Sequence, residues 1–178
     1  GTTLRTAGDT FEGRRRLDVG GRSVELIELG PAHTSGDTVV HVPDAGVVFT
    51  GDLVFHDGTP ICWAGPLSGW VAACEAIAAL RPEVIVPGHG GIATMGVLED
   101  TAAYLRFVES EGTARLRAGM DPLAAALDIE LGEFAGWSDP ERIVANMATL
   151  ARHLGVGEPW GAFEMLRGMA AWWDLRGR

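Results

Sequence analysis

The 178 residues predict a mixed chain of the α/β (or α+β) class, with strands first and helices last. Between residues 10 and 55, apolar residues form short runs bounded by Gly, Pro and Asp, which is the pattern of strands. From about residue 97 onward they recur at helical spacing. A hydrophobic content of 47% with mean hydropathy +0.13 supplies a core and argues against disorder. The length suits one domain.

"RRRLDV" and "RSVELIEL" flank Gly20–Gly21, a hairpin turn. "DTVVHVP" is a third strand that Pro43 ends; "DAG" at 44–46 is a turn, and "VVFT" is a fourth strand. Such nearly continuous apolar runs suit a sheet covered on both faces. "LSGWVAACEAIAAL" (67–80) is a helix with Ser68 as its candidate N-cap. "EVIVPGHGG" (83–91) is a short buried strand running into a Gly-rich loop. Helices are expected over 97–118, 121–130, 139–154 and 160–175, with Asp139–Pro140 opening the third through an acidic cap and Pro at its first position.

The formal net charge is −10 and the pI ≈ 4.8, and every basic residue is Arg. Phosphate contacts need clustered Lys and Arg, so nucleic acid is not an expected partner. "GRRR" at 13–16 reads as an exposed strand face rather than a binding patch. Cys62 and Cys74 fit neither CxxC nor a disulfide framework, so both are read as reduced and the setting as cytoplasmic. No apolar stretch is long enough for a membrane span.

Three ligand-type side chains share one local pattern. His33 follows "VELIEL", Asp52 follows "VVFT", and His89 follows "EVIVP". Each is read as lying just past the C-terminal end of a strand, where sites gather in layered folds. Each also has glycine nearby, Gly36, Gly51, and the pair Gly88 and Gly90, which permits tight turns and close backbone approach. Two imidazoles and a carboxylate suit zinc, with manganese or iron as alternatives.

"AHTSGDT", "VVFTGDLVF" and "VPGHG", in that order, closely resemble the second half of the metallo-β-lactamase-fold hydrolases. "GTPICWAGPLSGWVAACEAI" and the stretch from "LRFVESEG" to "ERIVANM" look like the helical extension of some bacterial members, so the likeness runs from about residue 24 to about 150. The resemblance implies part of a four-layer αββα sandwich over residues 1–96, with a helical C-terminal extension over 97–178 packed on it. It implies that His33 binds a first metal, that Asp52 bridges two, and that His89 binds the second, the pair being zinc by preference. It implies attack by metal-bound hydroxide on an ester, thioester or lactone in a small-molecule substrate, Asp52 being part of the catalytic centre.

One family motif, HxHxDH, is absent, and residues 1–32 contain no His. Three ligands cannot satisfy two metals, each of which needs about four donors. The chain is therefore read as the C-terminal part of a longer enzyme, inactive alone and binding zinc weakly. A phosphodiesterase or nuclease on the same fold is the second enzymatic reading, and a metal-free interaction module the third. An in-frame HxHxDH encoded upstream separates the enzyme from the module.

The remaining candidates weigh less. His41, in mid-strand, is expected to be structural, and His153 to be a surface residue. His56 and Trp63 are candidates for the substrate pocket. Asp37 is expected to bond local backbone N–H groups, with support of His33 as its functional option. Trp172 and Trp173 cannot both face one core stripe, which makes the pair a candidate partner surface, as in a homo-oligomer.

Overall fold

The computed structural model describes residues 2–176. Strands β1 (Arg14–Val19), β2 (Arg22–Glu28), β3 (Thr38–Val42), β4 (Val47–Phe55) and β5 (Val84–His89) form one sheet in chain order. β1 to β4 are antiparallel neighbours, and helix α1 (Leu67–Ala79) crosses over so that β5 runs parallel to β4. The first hairpin closes through Gly20 and Gly21, both at positive φ (64° and 83°), as a two-residue turn between paired Val19 and Arg22 requires.

Four helices follow: α2 (Gly96–Arg117), α3 (Pro122–Asp128), α4 (Ile143–Leu154) and α5 (Ala162–Arg176). Asp121 caps α3, accepting from the backbone N–H groups of Leu123 and Ala124. Two expected caps are corrected. Pro66, in extended conformation, precedes α1, and Ser68 is already inside the helix, so its hydroxyl has no cap position to fill. Asp139 is left-handed (φ 56°) and turns its carboxylate to Arg142 at 3.0 Å instead of to helix N–H groups; Pro140–Arg142 is a separate 3-10 turn before α4.

The helices cover one face of the sheet. Ile27, Val39, Val48 and Ile85 point into that core, and every residue of α4 from Ile143 to Ala151 is buried. The apolar cluster is continuous from Ile27 in β2 to Trp172 in α5. The expectation of a sheet covered on both faces is corrected among the described residues. The face bearing Leu17, Leu26, Val40, Phe49 and Val86 is only half shielded, with Phe49 45% exposed, because no helix packs on that side. No described helix is long and apolar enough to cross a membrane.

Candidate metal centre

Strand direction brings the three ligand-type residues together. β2 and β4 are each antiparallel to β3, hence parallel to each other, and β5 is parallel to β4. The C-terminal ends of all three therefore lie at one end of the sheet. His33 sits in the loop after β2 as anticipated. Asp52 and His89 are not past their strands. β4 continues to Phe55, and His89 is the last residue of β5. The β4–β5 ladder slips between Phe49 and Gly51, the latter opposite Pro87, which has no N–H to donate, and again between Gly51 and Phe55. These bulges leave Asp52 inside the strand and facing the sheet end.

The Asp52 carboxylate lies between the two imidazoles. Its Oδ2 is 3.5 Å from His33 Nε2, and its Oδ1 is 3.4 Å from His89 Nε2. His33 is buried, and its Nδ1–H donates to the Ile61 carbonyl at 2.6 Å. A carbonyl can only accept, so Nδ1 carries a proton, and Nε2 faces Asp52. His89 stacks on Phe55 (centroids 4.6 Å, planes 6° apart) and is more open to solvent than His33. Among the described residues, no group of three or more His, Cys, Asp or Glu is arranged to hold a metal ion. The split geometry accounts for this: each imidazole faces its own carboxylate oxygen, giving two half-sets of donors rather than one cage of three. Nitrogen and carboxylate donors of this kind fit zinc chemically, but they fall short of four donors per ion.

Gly88 makes the approach possible, since a Cβ there would meet Asp52 Oδ1 and come within 2.7 Å of the Gly51 carbonyl carbon. Gly36 does no such thing: a Cβ there would meet open space, so its proximity to His33 in sequence had no geometric meaning.

Asp37 accepts from the Thr34 N–H (2.9 Å) and hydroxyl (2.7 Å), bracing the loop that carries His33. His56 bonds the Gly91 carbonyl through Nδ1 and lines a cavity of about 220 Å³ with Phe55, Asp57, Asp100, Glu133 and Trp137. Trp63 does not line that cavity; it packs, partly buried, against the core. His41 is buried in β3 with Nδ1 3.3 Å from Glu25 Oε2. His153 is exposed yet bonds the Ala64 carbonyl at 2.7 Å, so it is more than a surface residue. Burial pushes the thiols of Cys62 and Cys74 up to about 12, which makes them poor nucleophiles. Sequence reasoning missed Asn146 and Thr149, fully buried polar residues of α4 that bond the loop against His33. Their signal was two polar residues three apart within the otherwise apolar "IVANMATLA".

A layered α/β protein with two imidazoles about one carboxylate at its sheet end is the class that this geometry defines. The model of the metallo-beta-lactamase superfamily matches residues 2–89, and the chain belongs to that superfamily. Among curated relatives, a hydroxyacylglutathione hydrolase of Brucella anthropi is 32% identical over 126 residues, covering 67% of this chain and 42% of that protein. The chain thus spans less than half the length of the curated relatives it matches. A metallo-beta-lactamase family protein of Thermus thermophilus superposes with TM-score 0.62 at 18% identity, over 84% of this chain and 51% of that one. A stereoselective inverting sec-alkylsulfatase from Pseudomonas sp. reaches TM-score 0.65 at 16% identity, over 87% and 29%. These two likenesses take in more of the chain than the family model does and speak to the fold alone.

Proposed function

We propose that the chain is part of a metal-dependent hydrolase of small-molecule esters, thioesters or lactones, with a thioester favoured. The observation that carries this reading is the Asp52 carboxylate, one oxygen toward each imidazole. The thioester preference rests on the relatives named hydroxyacylglutathione hydrolase. His33, Asp52 and His89 would hold one side of a two-zinc site, completed by donors that residues 1–178 do not carry; manganese or iron are the alternative ions. Bound there, the metals would supply an acidified water and an electrophile for the carbonyl oxygen. Asp52 would offset the repulsion between two cations, and Phe55 would keep the His89 ring in plane. The cavity beside His56 would take the non-reacting part of the substrate. The two free, buried thiols support a reducing, cytoplasmic setting.

Titration of the chain with Zn²⁺, followed at the imidazole NMR signals, tests the centre. The His33 and His89 signals should move together, weakly, and Asp52→Asn should abolish the joint response. Movement of either ring alone in the unmodified chain would overturn the shared site. Thiol release from an acyl-glutathione by the protein carrying the full donor set tests the substrate class.

A further inference from the structure

We infer that helix α4 is the positioning element of the centre: through Asn146 and Thr149 it clamps the 59–64 strap so that one carbonyl, that of Ile61, is left for His33. The observation is a near-complete assignment of backbone acceptors. Arg142 donates to the Thr59 carbonyl (3.0 Å), and Asn146 Nδ2 to that of Pro60 (2.9 Å). Thr149 donates to the Cys62 carbonyl at 2.6 Å. Arg152 donates to the carbonyls of Trp63 and Ala64, the latter shared with His153. Within 59–64 the remaining carbonyl is that of Ile61, which takes the His33 Nδ1–H.

The α4 donors stand at 146, 149 and 152–153, spacings of three and four that put them on one face of the helix, and Arg142 adds a donor from the turn just before it. Asn146 also accepts from the Cys62 N–H (2.8 Å) and donates to the Tyr104 hydroxyl (3.2 Å), so its amide is held at both ends. The strap grips His33 a second time through its main chain: the N–H groups of Trp63 and Ala64 both donate to the His33 carbonyl.

The consequence is chemical as well as mechanical. With Ile61 oriented by α4, Nδ1 of the imidazole is held as a donor to that carbonyl and Nε2 is directed toward Asp52. The bond from Nδ1 to Ile61 is formed without any metal; only the use of Nε2 in ligation rests on the proposed hydrolase centre.

The test is the tautomer of His33, read without metal by long-range ¹H–¹⁵N NMR of the imidazole in the full chain. The unmodified chain should show a single ring state with Nδ1 protonated. Asn146→Ala and the nearly volume-neutral Thr149→Val should each mix in the Nε2–H form. Leu150→Ala, on the same helix but bonded to nothing in the strap, should lower the melting temperature and leave the pattern single. An Nε2–H tautomer in the unmodified chain would overturn the inference. So would an unmixed Nδ1–H pattern in the folded Thr149→Val variant, or equal mixing in Leu150→Ala. A correct tautomer series combined with no Zn²⁺ response would leave α4 in its positioning role and remove the metal reading instead.

Discussion

Asp52 and Asp37 lie fifteen residues apart and do different work. Asp52 faces both imidazoles, whereas the Asp37 carboxylate bonds the Thr34 N–H and hydroxyl. In the protein with its full donor set, Asp52→Asn should cut hydrolysis by at least ~10²-fold, on the order of 3 kcal/mol of barrier. Asp37→Asn should cost less, within the ~10–100-fold typical of groups that support a ligand from behind. Equal losses in kcat/KM would show that the division is wrong. Gly88→Ala isolates the same point by sterics: the new methyl would meet Asp52 and the Gly51 backbone, with a cost of about 1–3 kcal/mol as for overpacking generally. A melting temperature equal to that of the parent would contradict the close approach. At this scale the sequence was readable for residue type and not for placement. His33, Asp52 and His89 stood out as ligand-type side chains near strand ends, but a bulge that keeps Asp52 inside β4 depends on pairing with β5, which no local pattern encodes.

The elements were legible wherever a local rule governs them. The Gly20–Gly21 hairpin and the long apolar repeat of α2 fall within a residue or so of expectation. The caps divided by chemistry: Asp121, next to Pro122, caps α3, while Ser68 lies already inside α1 and the left-handed Asp139 turns its carboxylate to Arg142. Asp121→Ala should therefore destabilise by about 0.5–2 kcal/mol, the usual cost of an N-cap, whereas Ser68→Ala should be nearly neutral. Urea midpoints of the two variants check this, and a comparable loss for Ser68→Ala would restore it as a cap. The polar pair of α4 was invisible for a different reason. Its partners are main-chain atoms some 85 residues away, and hydrogen bonds to backbone leave no mark on the partner's side-chain identity.

Across the whole molecule, one apolar cluster joins sheet and tail, and α4 lies at its centre. Cys62, Cys74 and Tyr104 share that interior, and burial raises the titration of all three. Because the folded thiols titrate at about 12 rather than the ordinary 9.0, the fold favours their neutral form. That contribution is complete below about pH 9 and is lost as pH climbs through about 12. Stability should fall on the alkaline side, and a Cys62→Ala/Cys74→Ala variant should show a shallower fall, with the share due to Tyr104 remaining. Both thiols should also resist alkylation until the chain unfolds. A steep slope unchanged in the double variant, measured by urea midpoints at about pH 8 and about pH 10.5, would assign the effect elsewhere.

The half-shielded side of the sheet should set how copies of this chain behave toward one another in solution. Phe49, Val40, Leu26 and Val86 form a wet hydrocarbon patch, while the −10 charge pushes molecules apart. The two tendencies have different reach: charge repulsion extends about a Debye length, ~8 Å at physiological salt, and shrinks as salt is added, while apolar contact does not. Colloidal stability should therefore be conditional. Light scattering should rise with added salt and again near the pI ≈ 4.8, where the repulsion vanishes. Phe49→Thr should suppress both rises and leave the melting temperature nearly unchanged, since that ring is already 45% exposed. Scattering indifferent to Phe49 would mean that the molecules adhere through some other surface.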